Sequence, residues 1–200
     1  MANIILIDDH KMMREGLKSF LGDQKGWNVI AEAGSLSEVK QLLCSEDKRL
    51  VDAIAIVDIK LGNDSGLDVL RLLSESRLGI HSLMYSMFDS PGYAIEAIDR
   101  GAMGYITKAA DNTELIKALK EIQSGNTYIQ QSLVRGITVT ANLVAGLTKK
   151  EKQIFDLIRQ GLSNDEISRQ LEISLRTTEN YVSKIYDKLG VNDRSELITK

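Results

Sequence analysis

Two hundred residues, 43% of them hydrophobic and 26% charged, suffice for one large domain or two small ones of ordinary globular composition. No apolar run approaches the roughly 20 residues that cross a bilayer, and the start, "MANIILIDDH", lacks a basic leader ahead of a long apolar stretch, so neither a membrane span nor a secretory signal is expected. Net charge is −3, which alone argues against nucleic-acid binding, but residues 1–146 hold 15 Lys+Arg and 19 Asp+Glu while residues 147–200 hold 10 and 9, a balance that permits DNA binding by the C-terminal part. The lone cysteine, Cys44, excludes an intramolecular disulfide and reads as a small apolar residue on a helix, with the cytoplasm as the expected location.

The first two thirds alternate β-rich runs with helical periodicity. "IILI" at 4–7 stops at Asp8, and Met13, Leu17 and Leu21 then recur at helical spacing. "NVIAEA" at 28–33 predicts a second strand. Ser35 and Glu38 form an S-x-x-E capping signal ahead of Val39, Leu42 and Leu43. "AIAIV" at 53–57 is the third strand, followed by a helix marked by Leu67, Leu70 and Leu72 or Leu73. "IHSLMYS" at 80–86 is the fourth, and Pro91 opens a helix carrying Ala94, Ile95 and Ile98. "GYIT" at 104–107 is the fifth, and Asp111 with Glu114 starts a helix bearing Leu115, Leu119 and Ile122. Five strands alternating with five helices predict an α/β domain over residues 1–123, a five-stranded doubly wound parallel sheet. Residues 124–146 read as a linker, with a helical piece at 130–135. From 147 the pattern is purely helical.

In such sheets ligands bind beyond the carboxyl ends of the strands. Strand one ends in Asp8 and Asp9, strand three in Asp58, strand four in Ser86, and strand five is followed by Lys108. Carboxylates gathered in one cleft repel unless a cation neutralises them, and a hard divalent ion with oxygen ligands does so. A hydroxyl and an ammonium beside them complete a receptor for phosphoryl oxygens. A carboxylate can itself become an acyl phosphate. Taken singly, each of these residues reads as a strand-end cap or a surface charge; taken as a set, they read as a site.

"ILIDDH", "VDIKLGNDSGL", "LMYS" and "GAMGYITK" resemble the receiver domain of two-component response regulators, of flavodoxin/CheY-like fold, over about residues 1–123. The resemblance implies that Asp58 accepts phosphate from a histidine kinase. Mg²⁺ would be held by Asp8, Asp9, Asp58 and the backbone carbonyl of Lys60. Ser86 would move toward the new phosphate, Lys108 would pair with it, and Tyr105 would be the switch aromatic that turns inward. Gly62 stands where the family usually has Pro, which predicts a less rigid loop. Lys60 could shield the phosphate. Met87 replaces a smaller residue beside the site, which predicts slow reaction with small phosphodonors.

The C-terminal part is strongly punctuated. Thr148 with Glu151 and Ser163 with Glu166 are capping boxes. Ile154, Leu157 and Ile158 share one helix face, Gly161 ends that helix, and Ile167 and Leu171 line a short second helix. Ser174 would cap a third, on which Thr178, Val182, Ile185 and Leu189 form the buried stripe and Gly190 closes the end. This pattern fits a helix-turn-helix DNA reader or a helical bundle for protein contacts. "LTKKEKQIFDLIRQGLSNDEISRQLEIS" and "KLGVNDRSEL" resemble the LuxR-type helix-turn-helix of NarL/FixJ-class regulators over 147–200, which makes 175–189 the recognition helix. Arg176, Thr177, Glu179, Asn180, Ser183, Lys184 and Lys188 are then the candidate DNA contacts. Glu179 falls where Lys is usual, Tyr181 where His is usual, and Thr178 puts a hydroxyl in place of an apolar β-branched residue. The last helix is expected to be short.

The expected function is a phosphorylation-controlled transcription factor, acting as a homodimer on promoter DNA when active; the resemblance implies that the receiver covers the recognition helix at rest. The alternative is a phosphorylation-dependent protein-interaction switch. A separate enzymatic activity is not expected.

Overall fold

The computed structural model describes residues 1–45, 47–191 and 194, with the side chains of all of these except 138–142. The chain divides into two compact units, one of residues 1–89 and 94–130, the other of residues 90–93 and those from 131 on. In chain order the strands and α-helices of the first two thirds are β1 (Ala2–Ile7), α1 (Lys11–Asp23), β2 (Trp27–Ala33), α2 (Leu36–Leu43), β3 (Ile54–Val57), β4 (Lys60–Leu61), β5 (Asp64–Ser65), α3 (Gly66–Glu75), β6 (His81–Ser86), α4 (Pro91–Asp99), β7 (Gly104–Thr107), α5 (Asn112–Gln123) and β8 (Tyr128–Ile129), with one 3-10 turn at Lys48–Leu50. Six strands form a parallel sheet in the order β2-β1-β3-β6-β7-β8.

Successive strand residues face opposite sides of a sheet. Ile4, Leu6, Ile54, Ile56, Leu83 and Tyr85 join Leu17 and Leu21 of α1 and Leu115, Leu119 and Ile122 of α5 in one buried cluster. Their neighbours Ile5, Ile7, Ala55, Val57 and Met84 are equally buried. Both faces are therefore covered, as strands apolar throughout require. Helix starts follow the sequence signals: Ser35 Oγ accepts the Glu38 N–H and Asp111 Oδ1 the Glu114 N–H. The Glu38 carboxylate takes the N–H of Gly34 rather than that of Ser35, so this capping signal closes one residue early.

The sheet has one strand more than the five expected. β8 is two residues long, too short for any alternation to show, and is held by Tyr128 N–H to Met103 O and Gln130 N–H to Tyr105 O. The segment expected to be a linker also holds α6 (Gln131–Ala145), far longer than the piece at 130–135. Gly136 and the β-branched run after it weaken intrinsic helix propensity. Packing overrides that deficit: Leu133 is buried and Val144 lies against the C-terminal core.

That core belongs to α7 (Lys149–Arg159), α8 (Asn164–Gln170) and α9 (Leu175–Leu189). Both capping boxes are complete. Ser174 Oγ accepts the Thr177 N–H, and Gly190 closes α9 at φ +61°. Thr178, Val182, Ile185 and Leu189 are buried, as their spacing predicts. The Thr178 hydroxyl donates to Ser174 O at 3.3 Å, so this buried polar group is satisfied. The expected short last helix lies outside the described residues. Among these no helix is long and apolar enough to cross a membrane.

Candidate functional site

Parallel register gathers the site. Ile7 pairs with Val57, Val57 with Met84, and Ser86 with Thr107, so the residues that follow β1, β3 and β7 emerge at one edge. The ladder continues into them: Asp8 N–H donates to Ala33 O, Asp58 N–H to Ile7 O, and Lys108 N–H to Ser86 O, at 3.1, 2.8 and 2.7 Å. Residues 50 and 100 apart in sequence thereby meet. Lys108 Nζ lies 2.6 Å from Asp8 Oδ2 and 2.6 Å from Asp58 Oδ2, with all three side chains buried. Burial works to lower the Lys108 pKa, but the hydrogen bonds to Asp58 and Asp8 outweigh it and hold the ammonium above the ordinary lysine value.

Asp9 is the outer carboxylate, with 27% of its side chain exposed. Its Oδ2 accepts the Gly62 N–H at 3.0 Å. Its Oδ1 is buried and accepts no hydrogen bond. His10 Nδ1 stands 2.9 Å from that oxygen, but proximity without alignment is not a hydrogen bond, so the oxygen counts as unsatisfied. Ligand atoms of Asp8, Asp9, His10 and Asp58 all lie within 4.8 Å of one another. Hard carboxylate donors, one of them orphaned, fit a small divalent cation such as Mg²⁺. His10 was not anticipated from sequence, nor was Arg14, whose Nη1 donates to Asp8 O while its Nε pairs with Glu32.

The acceptor loop is built by two glycines. The Gly66 N–H donates to Ile59 O at 2.6 Å, and a Cβ on Gly66 would lie 1.8 Å from the Asp58 carbonyl oxygen. Gly62 adopts φ +63° in the two-residue turn between β4 and β5, which pair antiparallel. Proline, fixed near φ −65° and lacking an N–H, could neither take this conformation nor bond to Asp9. The loop is a short hairpin, tied to Asp9 through the Gly62 N–H. Lys60 lies in β4 with its residue exposed.

Ser86 is fully buried and its Oγ accepts the Phe88 N–H at 3.4 Å. Tyr105 is also fully buried, turned inward, and its hydroxyl donates to Phe88 O at 2.7 Å. Both residues therefore hold the same stretch of backbone beside the site. Met87 is 74% exposed.

On α9, Arg176, Glu179, Asn180, Ser183 and Lys184 are exposed. Thr177 is half-buried, its Oγ1 2.7 Å from Ser174 Oγ. Lys188 is engaged elsewhere: its Nζ lies 2.6 Å from Oε2 of the buried Glu151. That bond, then the Thr148 N–H, hold the Glu151 carboxyl down at about 2.

An acidic pocket crossed by a lysine at the carboxyl edge of a doubly wound sheet, followed by a capped helix-turn-helix, defines a class: a receiver joined to a helical output unit. The comparisons agree. A family model for the response regulator receiver domain matches residues 4–120, and one for bacterial regulatory proteins of the luxR family matches residues 145–200. The chain belongs to the response regulators with a receiver domain and a LuxR-type helix-turn-helix. It is 32% identical to the transcriptional regulatory protein UhpA of Escherichia coli, over 98% of this chain and 96% of the relative. It is 28% identical to the DNA-binding transcriptional activator DevR/DosR of Mycobacterium tuberculosis, over 98% and 92%. Its fold resembles that of Salmonella enterica RcsB bound to promoter DNA with the phosphomimetic BeF₃⁻, with a TM-score of 0.73, 23% identity and coverage of 98% and 96%.

Proposed function

We propose that this chain is a response-regulator transcription factor whose DNA binding is controlled by phosphorylation of Asp58. The observation that carries the reading is the Lys108 ammonium 2.6 Å from both Asp8 and Asp58. An Asp58 carboxylate oxygen attacks the phosphorus of a kinase phosphohistidine; the O–P bond forms, the P–N bond breaks, and the imidazole leaves with the electron pair. Asp8, Asp9, Asp58 and the Lys60 carbonyl would hold Mg²⁺, which supplies charge neutralisation at the phosphoryl oxygens. Lys108 exchanges a carboxylate partner for a phosphoryl oxygen, and Ser86 donates its hydroxyl to another. The phosphoryl group brings about −1.5 to −2 charges and three acceptor oxygens. Drawing Ser86 away from the Phe88 N–H leaves Tyr105 to hold that backbone, which gives the switch a mechanical route. No second substrate is turned over. The active form is a homodimer on promoter DNA, and the protein works in the cytoplasm.

Intact-mass measurement with a phosphodonor tests the first step: about 80 Da added in Mg²⁺, and none in EDTA or in Asp58→Asn. Gel-shift titration with and without beryllofluoride tests the second. A second reading, an output unit that contacts protein, is favoured by the pairing of Lys188 with Glu151, which removes a cation from the recognition helix. No retarded fragment at low salt would favour it.

A further inference from the structure

The exposed side of α9 carries Arg176, Glu179, Asn180, Ser183, Lys184 and Asp187 at spacings of three and four, opposite the buried stripe. With Lys188 tied to Glu151, the charges on that side are two cations and two anions. A face of zero net charge gains little from counterion release at phosphates, the term that supplies most non-specific affinity. Glu179 also lies in the N-terminal half of the helix, which approaches base edges in helix-turn-helix complexes. A carboxylate there is repelled by the phosphate rails and is stabilised only by a donor on a base. In the major groove, cytosine offers its amino group, whereas adenine sets the N7 acceptor beside its own.

From this placement, and resting on the DNA-binding reading above, we infer that Glu179 is a specificity-determining residue that reads a cytosine amino group, so that this face of α9 contributes base selectivity rather than salt-dependent phosphate affinity. Asn180, next to it, suits an adjacent adenine.

The test is selection from a random-sequence duplex pool by the full chain loaded with beryllofluoride, using wild type, Glu179→Gln and Glu179→Lys. Thermal melting checks that each folds, which exposure of Glu179 favours. Wild type should fix a cytosine at one position of each half-site. Glu179→Gln should shift that position toward adenine, with the preference for cytosine there falling about tenfold or more and other positions unchanged. Glu179→Lys should favour guanine and steepen the log–log salt slope by about one. The same consensus from wild type and Glu179→Gln overturns the inference while leaving DNA binding intact. Failure of all three proteins to enrich any sequence at low salt overturns both readings.

Discussion

Replacing Gly66 with alanine places a methyl group 1.8 Å from the Asp58 carbonyl oxygen and 2.8 Å from its carbonyl carbon, with Ile59 Cα at 3.0 Å. All three atoms are backbone, so no side chain can swing away. Restoring ordinary contact requires a shift on the order of 1 Å in the strand end that carries the phosphoacceptor. It also strains the 2.6 Å bond from Gly66 N–H to Ile59 O. Overpacking of this kind costs about 1–3 kcal/mol, with the upper end expected where backbone must move. A displacement of about 1 Å at a reacting group costs on the order of 10²-fold in rate. Urea unfolding should therefore show a lower midpoint with unchanged slope, and the initial rate of Asp58 phosphorylation should fall about a hundredfold. Gly16→Ala is the control: nothing lies within 4 Å of a Cβ there, and alanine on α1 should gain up to about 1 kcal/mol. A Gly66→Ala protein with wild-type stability and wild-type phosphorylation would refute the account of the loop.

Lys108→Ala leaves two buried carboxylates without their shared cation, so its stability should fall by about 3 kcal/mol in EDTA and by less in millimolar Mg²⁺; equal losses in both buffers would count against a cation site. Glu151 has a folded pKa of about 2, below the ordinary 4.5, so its contribution to stability is full above the ordinary value and is lost as pH falls toward 2. The melting-temperature gap between wild type and Glu151→Gln should accordingly be widest near neutrality and close in acid; a gap that widens on acidification contradicts the sign. Met87→Ala should speed labelling by a small donor such as acetyl phosphate several-fold, and an unchanged rate removes Met87 from the entry path.

Strand ends were legible because a parallel sheet converts position in each repeat into position in space: Asp8, Asp58, Ser86 and Lys108 are each the last residue of a run or the next one. Capping signals gave the helix starts at Ser35, Asp111, Thr148, Ser163 and Ser174, since each is a local exchange of hydrogen bonds. What could not be read depends on contacts between distant residues. Nothing near Gly66 in sequence announces the Asp58 carbonyl above it. The partner of Lys188 is 37 residues away. Arg14 reaches Glu32, 18 residues away, and the Asp8 carbonyl because α1 packs beside β2. The β4–β5 hairpin and β8 are two-residue strands, below the length at which alternation is detectable, and α6 has a composition that argues against the helix its packing imposes.

The turn at Gly62 carries one more implication. A prolyl ring would set the shape of that turn from within, whatever lay beyond it. Here the turn itself is tied from outside, by the Gly62 N–H to the carboxylate with the orphaned oxygen, while Asp64 beyond it takes the Leu36 N–H. Any ion that reorients Asp9 must therefore pull on, or release, the segment that leads from the acceptor into α3, so filling the pocket and shaping its rim become one event.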